Sequence, residues 1–317
     1  MSQSEAGSRT IVVALGGNAL QPEHEAGNIH QQFAHTRESL GAIVALARAG
    51  WRIALVHGNG PQIGDELLRN ELARAEMPPL PLGVLVAGTA GWIGYMIQQS
   101  LQNALARAGI ERQVVTLITQ VLVDPADASA EPSKPIGRVM DEAYARAVAQ
   151  ETGWTVRPAG SGWRRVVPSP IPIAIAEARI VRSLVDQGVI VIGLGGGGTP
   201  VYHDPVLRLE GVDAVIDKDR AAAVLAVEIG AEALLILTNV DGAYRAFGTP
   251  RQELLRELTR AQAEQLLAEG EFGVGSMGPK IEAAVAFIRD GGRAAYVARL
   301  DQGLQAVQGA AGTVIRP

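Results

Sequence analysis

The chain alternates between short apolar runs and longer segments whose apolar residues recur at helical spacing. The apolar runs are rich in β-branched residues and predict strands at residues 10–15, 51–57, 113–119, 189–194, 233–238 and 294–298. The helical spacing predicts helices at residues 31–49, 61–75, 91–107, 173–187, 218–229 and 279–290. Strands that alternate with helices in this way form a sheet covered by helices on both faces, so the pattern predicts an α/β fold.

Four of the predicted strands end in turns that are rich in glycine or asparagine. In chain order the turns read "GGNAL", "HGNGP", "GLGGGG" and "TNVDGAY". The carboxyl ends of parallel strands lie at one edge of a sheet, and the ligands of open α/β sheets bind outside that edge. We therefore expect the four turns to converge on one ligand site.

The third turn lies within "VIGLGGGGTPV" (191–201), which also satisfies the dinucleotide-binding pattern G-x-G-x-x-G at Gly193, Gly195 and Gly198. That pattern binds a pyrophosphate only where a helix begins directly after the last glycine. Here two prolines and scattered polar residues follow, and they make a poor first helical turn. We expect a strand that ends in a glycine loop, where either another group approaches the backbone closely or the loop packs against a neighbouring chain.

Composition removes several classes of function. The chain has 317 residues, a net charge of -5 and no long basic run, which argues against nucleic acid as a partner. It contains no cysteine, so disulfides, thiolate nucleophiles and zinc–thiolate sites are excluded. The first ten residues are polar and do not form a signal peptide, which predicts a cytoplasmic protein.

Two segments depart from the regular alternation. Residues 77–99 carry no charge, but prolines interrupt their first part and no basic flank follows. We therefore expect a buried or subunit-interface helix there and not a membrane span. Residues 122–170 are rich in proline, charge and tryptophan and contain one helix near 140–151. An excursion of this length predicts a small protruding subdomain that folds over the sheet edge as a lid.

The chain contains only three lysines, and all its other fixed cations are arginines. Lys134, Lys218 and Lys280 lie in "PSKPIG", "VIDKDRAAA" and "GSMGPK", next to proline, glycine or aspartate. A compact ammonium group suits a point contact to a phosphoryl oxygen. The local sequence favours this role for Lys218 and Lys280 over Lys134.

Aspartates flank Lys218 at the start of a predicted helix. One of Asp217 and Asp219 is expected to cap the helix, and the other to hold lysines in position or to assist Mg²⁺. His57 ends a strand before a glycine, where a structural role is expected rather than that of a general base.

Nine motifs, in this order along the chain, resemble those of carbamate kinases in the amino-acid kinase superfamily. They are "VVALGGNAL", "HGNGPQIG", "GWIGYMIQQ", "SKPIG", "RRVVPSP", "GLGGGGTPV", "AVIDKDRAA", "LLILTNVDGAY" and "GSMGPK". The resemblance runs from Ile11 to Thr313. It implies a single domain over residues 1–317, with residues 122–170 as the protruding lid. The implied fold is an open three-layer α/β/α sandwich with a mostly parallel sheet of about eight strands, in a homodimer.

The resemblance also implies the reaction and the site. Carbamate kinases interconvert ATP and carbamate with ADP and carbamoyl phosphate, as in arginine catabolism, and use Mg²⁺ held mainly by the nucleotide phosphates. The implied catalytic residues are Lys134, Lys218, Lys280 and Asp219. Open backbone for the phosphoryl group and carbamate is expected from Gly16, Gly17, Asn18, Gly58, Asn59, Gly60, Gly195, Gly196 and Gly197. The nucleotide is expected to contact Thr238, Asn239, Val240, Tyr244, Gly275, Ser276 and Met277.

Alternative functions remain open on the sequence. They are another acyl-phosphate-forming amino-acid kinase, a catalytically inactive nucleotide-binding homologue, and the dehydrogenase indicated by the glycine pattern. Kinases of N-acetylglutamate or glutamate typically carry a lysine where this chain has Ala14, which favours carbamate. Ala90 and Ile171 depart from residues common in related sequences, and we expect them to affect affinity more than reaction type.

Overall fold

The computed structural model describes residues 9–17, 20–21, 27–128, 131–273 and 277–317. The helices in these ranges are α1 (Ile29–Ser39), α2 (Gly41–Arg48), α3 (Gly60–Leu72), α4 (Leu82–Arg107), α5 (Pro125–Ala128), α6 (Glu142–Thr152), α7 (Ala178–Asp186), α8 (Lys218–Glu228), α9 (Arg260–Ala268), α10 (Gly278–Arg289) and α11 (Gly303–Val307). The strands of the first half are β1 (Thr10–Leu15), β2 (Arg52–His57), β3 (Val114–Thr116), β4 (Gln120–Leu122), β5 (Lys134–Met140), β6 (Val156–Ala159) and β7 (Gly162–Val167). Those of the second half are β8 (Ala174–Ile175), β9 (Ile190–Gly193), β10 (Thr199–Asp204), β11 (Arg208–Gly211), β12 (Ala233–Thr238), β13 (Tyr244–Arg245), β14 (Glu253–Leu254), β15 (Glu257–Thr259), β16 (Ala294–Arg299) and β17 (Thr313–Arg316).

The largest sheet has eight strands in the order β15-β17-β16-β12-β1-β2-β9-β3. Its six consecutive strands from β16 to β3 pair in parallel, while β17 runs antiparallel to β16. β1 lies near the middle, and all six of its residues are buried, as expected for a strand covered on both faces.

Helices cover both faces of this sheet. Along β1, Val12 and Ala14 belong to a core formed with α7, α8, α9 and α10, whereas Ile11 and Val13 belong to a core formed with α2, α4 and α11. Alternate residues of a strand point to opposite faces, so the two cores are the two sides of one sheet. The predicted open three-layer α/β/α sandwich with a mostly parallel sheet is confirmed.

Several predicted elements differ in extent from the observed ones. The helix expected at 31–49 is two helices that meet at Leu40. The strand expected at 113–119 ends at Thr116, and the chain then enters a four-stranded sheet of order β11-β10-β4-β8. The helix expected at 173–187 begins only at Ala178, because Ala174 and Ile175 form the edge strand of this second sheet.

The uncharged segment 77–99 contributes most of α4, which begins at Leu82, well before the expected residue 91. One side of α4 packs in the core under the sheet. In the part of the chain that the structure describes, no helix is both long and apolar enough to cross a membrane.

Part of residues 122–170 forms a separate antiparallel sheet in the order β5-β7-β6, accompanied by α6. This sheet rests on α3: Ile136 is buried with Ile63 and Leu67, and Arg138 donates two hydrogen bonds to Asp65, of 2.7 and 3.2 Å. The two segments thus touch through apolar and charged contacts, and β5 begins at Lys134.

Candidate active site

The glycine-rich turns meet at one edge of the large sheet, as predicted. Leu15, the last residue of β1, aligns with His57 at the end of β2 and with Leu237 in β12. A Cβ atom placed on Gly58 would lie 2.9 Å from the backbone nitrogen of Gly17. The first two turns are therefore in backbone contact, which only residues without side chains allow.

The four consecutive glycines form a turn that leads into strand β10. No helix follows them, so the dehydrogenase interpretation loses the structural element that it requires. Gly196, Gly197 and Gly198 have φ values of 69°, 90° and 92°. A Cβ atom on Gly195 to Gly198 would come within 2.3–2.6 Å of other atoms, which belong in turn to Ala90, Asn59, Ile216 and Val121. Atoms of this same chain thus fill the inner side of the glycine loop.

The buried glycines of this loop carry backbone donors. The N–H groups of Gly197 and Gly198 donate to the carbonyls of Leu194 and Gly195, at 2.9 and 3.1 Å. Among the residues that the structure describes, the N–H groups of Gly195 and Gly196 make no such bond to backbone outside this turn. Neighbouring N–H groups of this kind in a turn form an anion-binding concavity.

Two of the three lysines share one buried carboxylate. Asp219 is 1% exposed; Lys218 Nζ donates to both of its oxygens at 2.9 Å, and Lys280 Nζ donates to Oδ2 at 3.1 Å. Lys218 and Asp219 lie in the first turn of α8, and Lys280 in the first turn of α10. The structure thus brings three of the predicted catalytic residues together.

Lys134 joins this group through Asp217, a contact that the sequence analysis did not predict. Lys134 Nζ donates to Asp217 Oδ2 at 2.9 Å. The other oxygen of Asp217 caps α8, accepting from the N–H groups of Asp219 and Arg220 at 2.9 and 3.2 Å. The assignment of one aspartate as cap and the other as lysine holder matches the observed geometry, but Asp217 fulfils both tasks.

The charges of the cluster shift one another's pKa values. Burial raises the pKa of Asp217, but Lys134 and Lys218 outweigh it, so the pKa lies well below its ordinary value. Burial lowers the pKa of Lys218, yet Asp219 and Asp217 raise it above its ordinary value. Burial and the neighbouring charge of Lys218 lower the pKa of Lys280. The pKa values of the two lysines are therefore shifted in opposite directions by the same cluster of charges.

His57 lies beneath the glycine loop and is 1% exposed. Its Nδ1 is 3.1 Å from the carbonyl oxygen of Gly58. Burial lowers the pKa of His57 to about 4, so the ring is neutral at physiological pH. This environment supports the expected structural role.

A cavity of about 440 Å³ extends from the glycine turns and lysines to a group of apolar side chains. Of the residues predicted to contact a nucleotide, it is lined by Thr238, Asn239, Val240, Tyr244 and Met277, together with Gly16, Gly17, Lys218 and Lys280. The predicted residues Asn18, Gly275 and Ser276 lie outside the described part of the chain.

Sequence reasoning did not single out several residues of this cavity, among them Phe247, Glu271, Phe272 and Leu300. Leu300 could have been found, because it directly follows β16, which is parallel to β12 and ends at the same sheet edge. The other three carry no local signal. The carboxylate of Glu271 accepts a hydrogen bond from the N–H of Ala246, which ties the loop of Phe247 to the cavity wall.

Asn59 was expected to contribute its backbone to the site, and its side chain also makes a buried hydrogen bond. It is 2% exposed, and its Nδ2 donates to the hydroxyl of Thr89 on α4 at 2.9 Å. The side chain therefore supports the glycine loop from below. Within the described residues, no group of three or more His, Asp or Glu side chains has the arrangement of a metal site.

Comparison with known proteins identifies the family to which this architecture belongs. The model of the amino acid kinase family matches residues 9–299. A carbamate kinase from Pyrococcus horikoshii is 44% identical over 311 residues, which cover 97% of this chain and 99% of the relative. A carbamate kinase structure from Giardia lamblia bound to citric acid superposes with a TM-score of 0.93 and 37% identity, covering 98% of this chain and 99% of the other.

A second structure of the Giardia lamblia carbamate kinase, bound to AMP-PNP, has a TM-score of 0.89 and 37% identity, with the same two coverages of 98% and 99%. Relatives and structures thus agree over nearly the full length of the chain. The chain belongs to the amino acid kinase family and, within it, groups with the carbamate kinases.

Proposed function

We propose that the protein catalyses reversible phosphoryl transfer between ATP and carbamate, with carbamoyl phosphate and ADP as the other pair. The observation that carries this proposal is the convergence of all three lysines on Asp217 and Asp219 at the glycine-lined sheet edge. Phosphoryl transfer needs positioning and neutralisation of charge more than covalent chemistry. A cluster of fixed ammonium groups and backbone donors supplies both.

Lys218 and Lys280 are assigned to the transferred phosphoryl group, and Asp219 holds their ammonium groups in place. The N–H groups of Gly195 and Gly196 are assigned to the same group. Gly16, Gly17, Gly58 and Gly60 provide further close approach for the phosphoryl group and carbamate. Carbamate is itself an anion, so its attack requires no general base, and the neutral buried His57 is not needed as one.

The nucleotide is assigned to the cavity lined by Tyr244, Phe247, Phe272, Met277 and Leu300. Aromatic and aliphatic walls suit the faces of a base, and the polar end beside Lys218 and Lys280 suits its phosphates. The AMP-PNP complex of the Giardia lamblia carbamate kinase supports the assignment of a nucleotide to this fold.

Mg²⁺ is the proposed metal. The two carboxylates of the site, Asp217 and Asp219, are already engaged by lysines, so the phosphate oxygens of the nucleotide remain as its main ligands. When bound, the ion would neutralise charge on the phosphates. The reaction should then stop when EDTA removes Mg²⁺ and recover when Mg²⁺ is restored.

Residues 122–170 are proposed to act as a lid that delivers Lys134. The sheet that begins at Lys134 contacts the body through α3, and its lysine reaches across 83 residues of sequence to Asp217. Movement of this sheet would add or remove the third cation of the site.

A homodimer in the cytoplasm, with a role in arginine catabolism, completes the proposal. One exposed stripe of α4 supports the dimer: Val84, Gly88, Gly91 and Tyr95 recur at helical spacing. Tyr95 is 56% exposed, and Ile118, which lies beside Gly91, is 54% exposed. An apolar patch of this kind on a helix is suited to a two-fold contact with a second copy.

One assay tests the reaction. The purified protein is mixed with ADP, Mg²⁺ and carbamoyl phosphate, and ATP is measured with luciferase. We expect ATP to form, and only slow formation when acetyl phosphate replaces carbamoyl phosphate. ATP from another acyl phosphate alone would identify a different acyl-phosphate kinase, and nucleotide binding without ATP formation would identify an inactive homologue.

A further inference from the structure

Two neighbouring segments leave the large sheet side by side and enter the four-stranded sheet together. β3 and β9 pair in parallel in the large sheet, with Thr116 opposite Ile192. β4 and β10 pair in parallel in the second sheet, with Gln120 opposite Thr199. Residues 117–119 make one crossing and residues 194–198, which contain the glycine run, make the other.

Thr119 bonds to the residues on both sides of the glycine run. Its Oγ1 accepts a hydrogen bond from the N–H of Leu194 at 2.8 Å, and its carbonyl oxygen accepts one from the N–H of Thr199 at 2.9 Å. Thr119 is 2% exposed, so water does not compete for these bonds. A single buried residue thus anchors the loop where it begins and where it ends.

The anchor at Leu194 holds a conformation that the chain would otherwise leave. Leu194 has a φ of 50°, in the left-handed region that residues with side chains rarely adopt. Such a conformation persists only where the surrounding contacts determine it. Leu194 directly precedes Gly195, so its backbone angles set the direction of the Gly195 and Gly196 N–H groups.

We propose that Thr119 is a positioning residue for phosphoryl transfer, acting through the glycine loop and touching no substrate itself. The inference rests on the proposed function, because it assigns the Gly195 and Gly196 N–H groups to the transferred group. Loss of the hydroxyl should free the start of the loop and misdirect those donors, while the nucleotide cavity keeps its walls.

The test compares three variants. Thr119→Val keeps the shape of the side chain and removes the hydroxyl, Thr119→Ser restores the hydroxyl, and Thr36→Val is the control. Thr36 is also fully buried, and its hydroxyl donates to the carbonyl of Gln32 at 2.7 Å within α1. If Thr119→Val does not fold, Thr119→Ala takes its place.

We expect Thr119→Val to lower kcat for ATP formation by about 10–100-fold, with ADP affinity by calorimetry within about threefold of wild type. Thr119→Ser should recover most of the turnover, and Thr36→Val should keep it. The proposal is overturned if Thr119→Val retains full turnover, if serine does not rescue it, or if Thr36→Val loses as much.

Hydrogen–deuterium exchange separates this proposal from the proposed reaction. Peptides that cover Gly195–Gly198 should exchange faster in Thr119→Val than in wild type or Thr36→Val. Unchanged exchange would remove the anchoring role even in an active enzyme. If the wild type forms no ATP but Thr119→Val still exchanges faster, the anchoring role of Thr119 stands and the proposed reaction is rejected.

Discussion

The ammonium groups of Lys218 and Lys280 share the carboxylate of Asp219. The residues of this cluster differ in their burial and in the direction of their pKa shifts. Asp219 is buried, and its removal would take from both lysines the carboxylate to which their ammonium groups are hydrogen-bonded. Lys218 has a raised pKa and Lys280 a lowered one.

Replacement of Lys218 by methionine should reduce turnover by about 10²–10³, because a fixed positive charge at the moving phosphoryl group is lost. The control is Arg220→Met on the same helix, whose guanidinium pairs with Glu282 at the surface. ATP formation is measured for both variants, and ADP binding by calorimetry. Turnover of Lys218→Met within about threefold of wild type would contradict the assignment.

Acid should destabilise the protein through His57. Its pKa is about 4 in the folded state and 6.5 in the reference state, so between these values the unfolded chain binds a proton that the folded chain does not. The free energy of unfolding should fall by about 2 kcal/mol from this group between pH 7 and pH 5. Urea denaturation at both pH values measures the change.

The matched variants are His57→Gln and His203→Gln, of which His203 is exposed. His57→Gln should weaken the pH dependence of the unfolding free energy, whereas His203→Gln should keep it. An equal pH dependence in wild type and His57→Gln would show that this histidine does not titrate as inferred.

At the scale of elements, the site depends on two contacts between segments that are distant in the chain. Strand β5 brings Lys134 to the cap of α8, and α10 brings Lys280 to the first turn of the same helix. The start of α8 is thus the place where the proposed lid contacts the sheet edge. Its N-terminal N–H groups also favour the anionic Asp217 and Asp219 there.

Removal of Lys134 tests the contribution of the proposed lid. Lys134→Ala should strongly reduce the use of carbamoyl phosphate, by about 10²-fold, because the third cation of the site is lost. ADP affinity should stay within a few-fold, since Lys134 does not line the cavity proposed to bind the nucleotide. Steady-state kinetics and calorimetry measure the two effects.

Arg157→Ala is the control for the lid, because Arg157 lies on β6 of the same sheet and pairs with Glu131 at the surface. It should leave both measurements unchanged. A collapse of ADP binding in Lys134→Ala would make Lys134 a nucleotide or structural residue, and unchanged turnover would reject the lid's catalytic role.

At the scale of the whole molecule, helix α4 connects two surfaces. Its buried side contacts the candidate active site, and its opposite side carries the exposed stripe. The buried side of α4 carries Thr89 and Ala90, which support Asn59 and Gly195. The exposed side carries Tyr95, whose ring meets Phe33 edge-on at 6.4 Å. A dimer formed through this stripe would bury the outer face of the helix that supports the glycine loop.

Tyr95→Arg should convert the proposed dimer to a monomer, because a charge placed in an apolar two-fold contact meets its own copy. Sedimentation velocity measures the mass. Tyr144→Arg is the control, since Tyr144 is similarly exposed on α6, away from α4. The interface assignment fails if Tyr95→Arg remains dimeric or if wild type is a monomer.

Local pattern alone determined the sheet and the position of its ligand edge. The buried runs at β1 and β12 were predicted residue for residue, because a strand covered on both faces is continuously apolar. The turns "GGNAL", "HGNGP" and "GLGGGG" were placed at one edge because parallel strands end there. The cap of α8 was predicted because an aspartate side chain satisfies free N–H groups at a helix start.

Only the tertiary structure decided which distant residues share the site. Lys134 and Asp217 are 83 residues apart, and Lys280 and Asp219 are 61 apart. Local periodicity carries no information about such pairs, and Lys134 is singled out by the scarcity of lysines and by the resemblance to carbamate kinases, not by its neighbouring residues. The sequence likewise carried no signal for Phe272 in the cavity or for Thr119 beside the glycine run. The place of Phe272 depends on the order of the strands in the sheet. The contact of Thr119 depends on two segments that pass side by side from the large sheet into the second one.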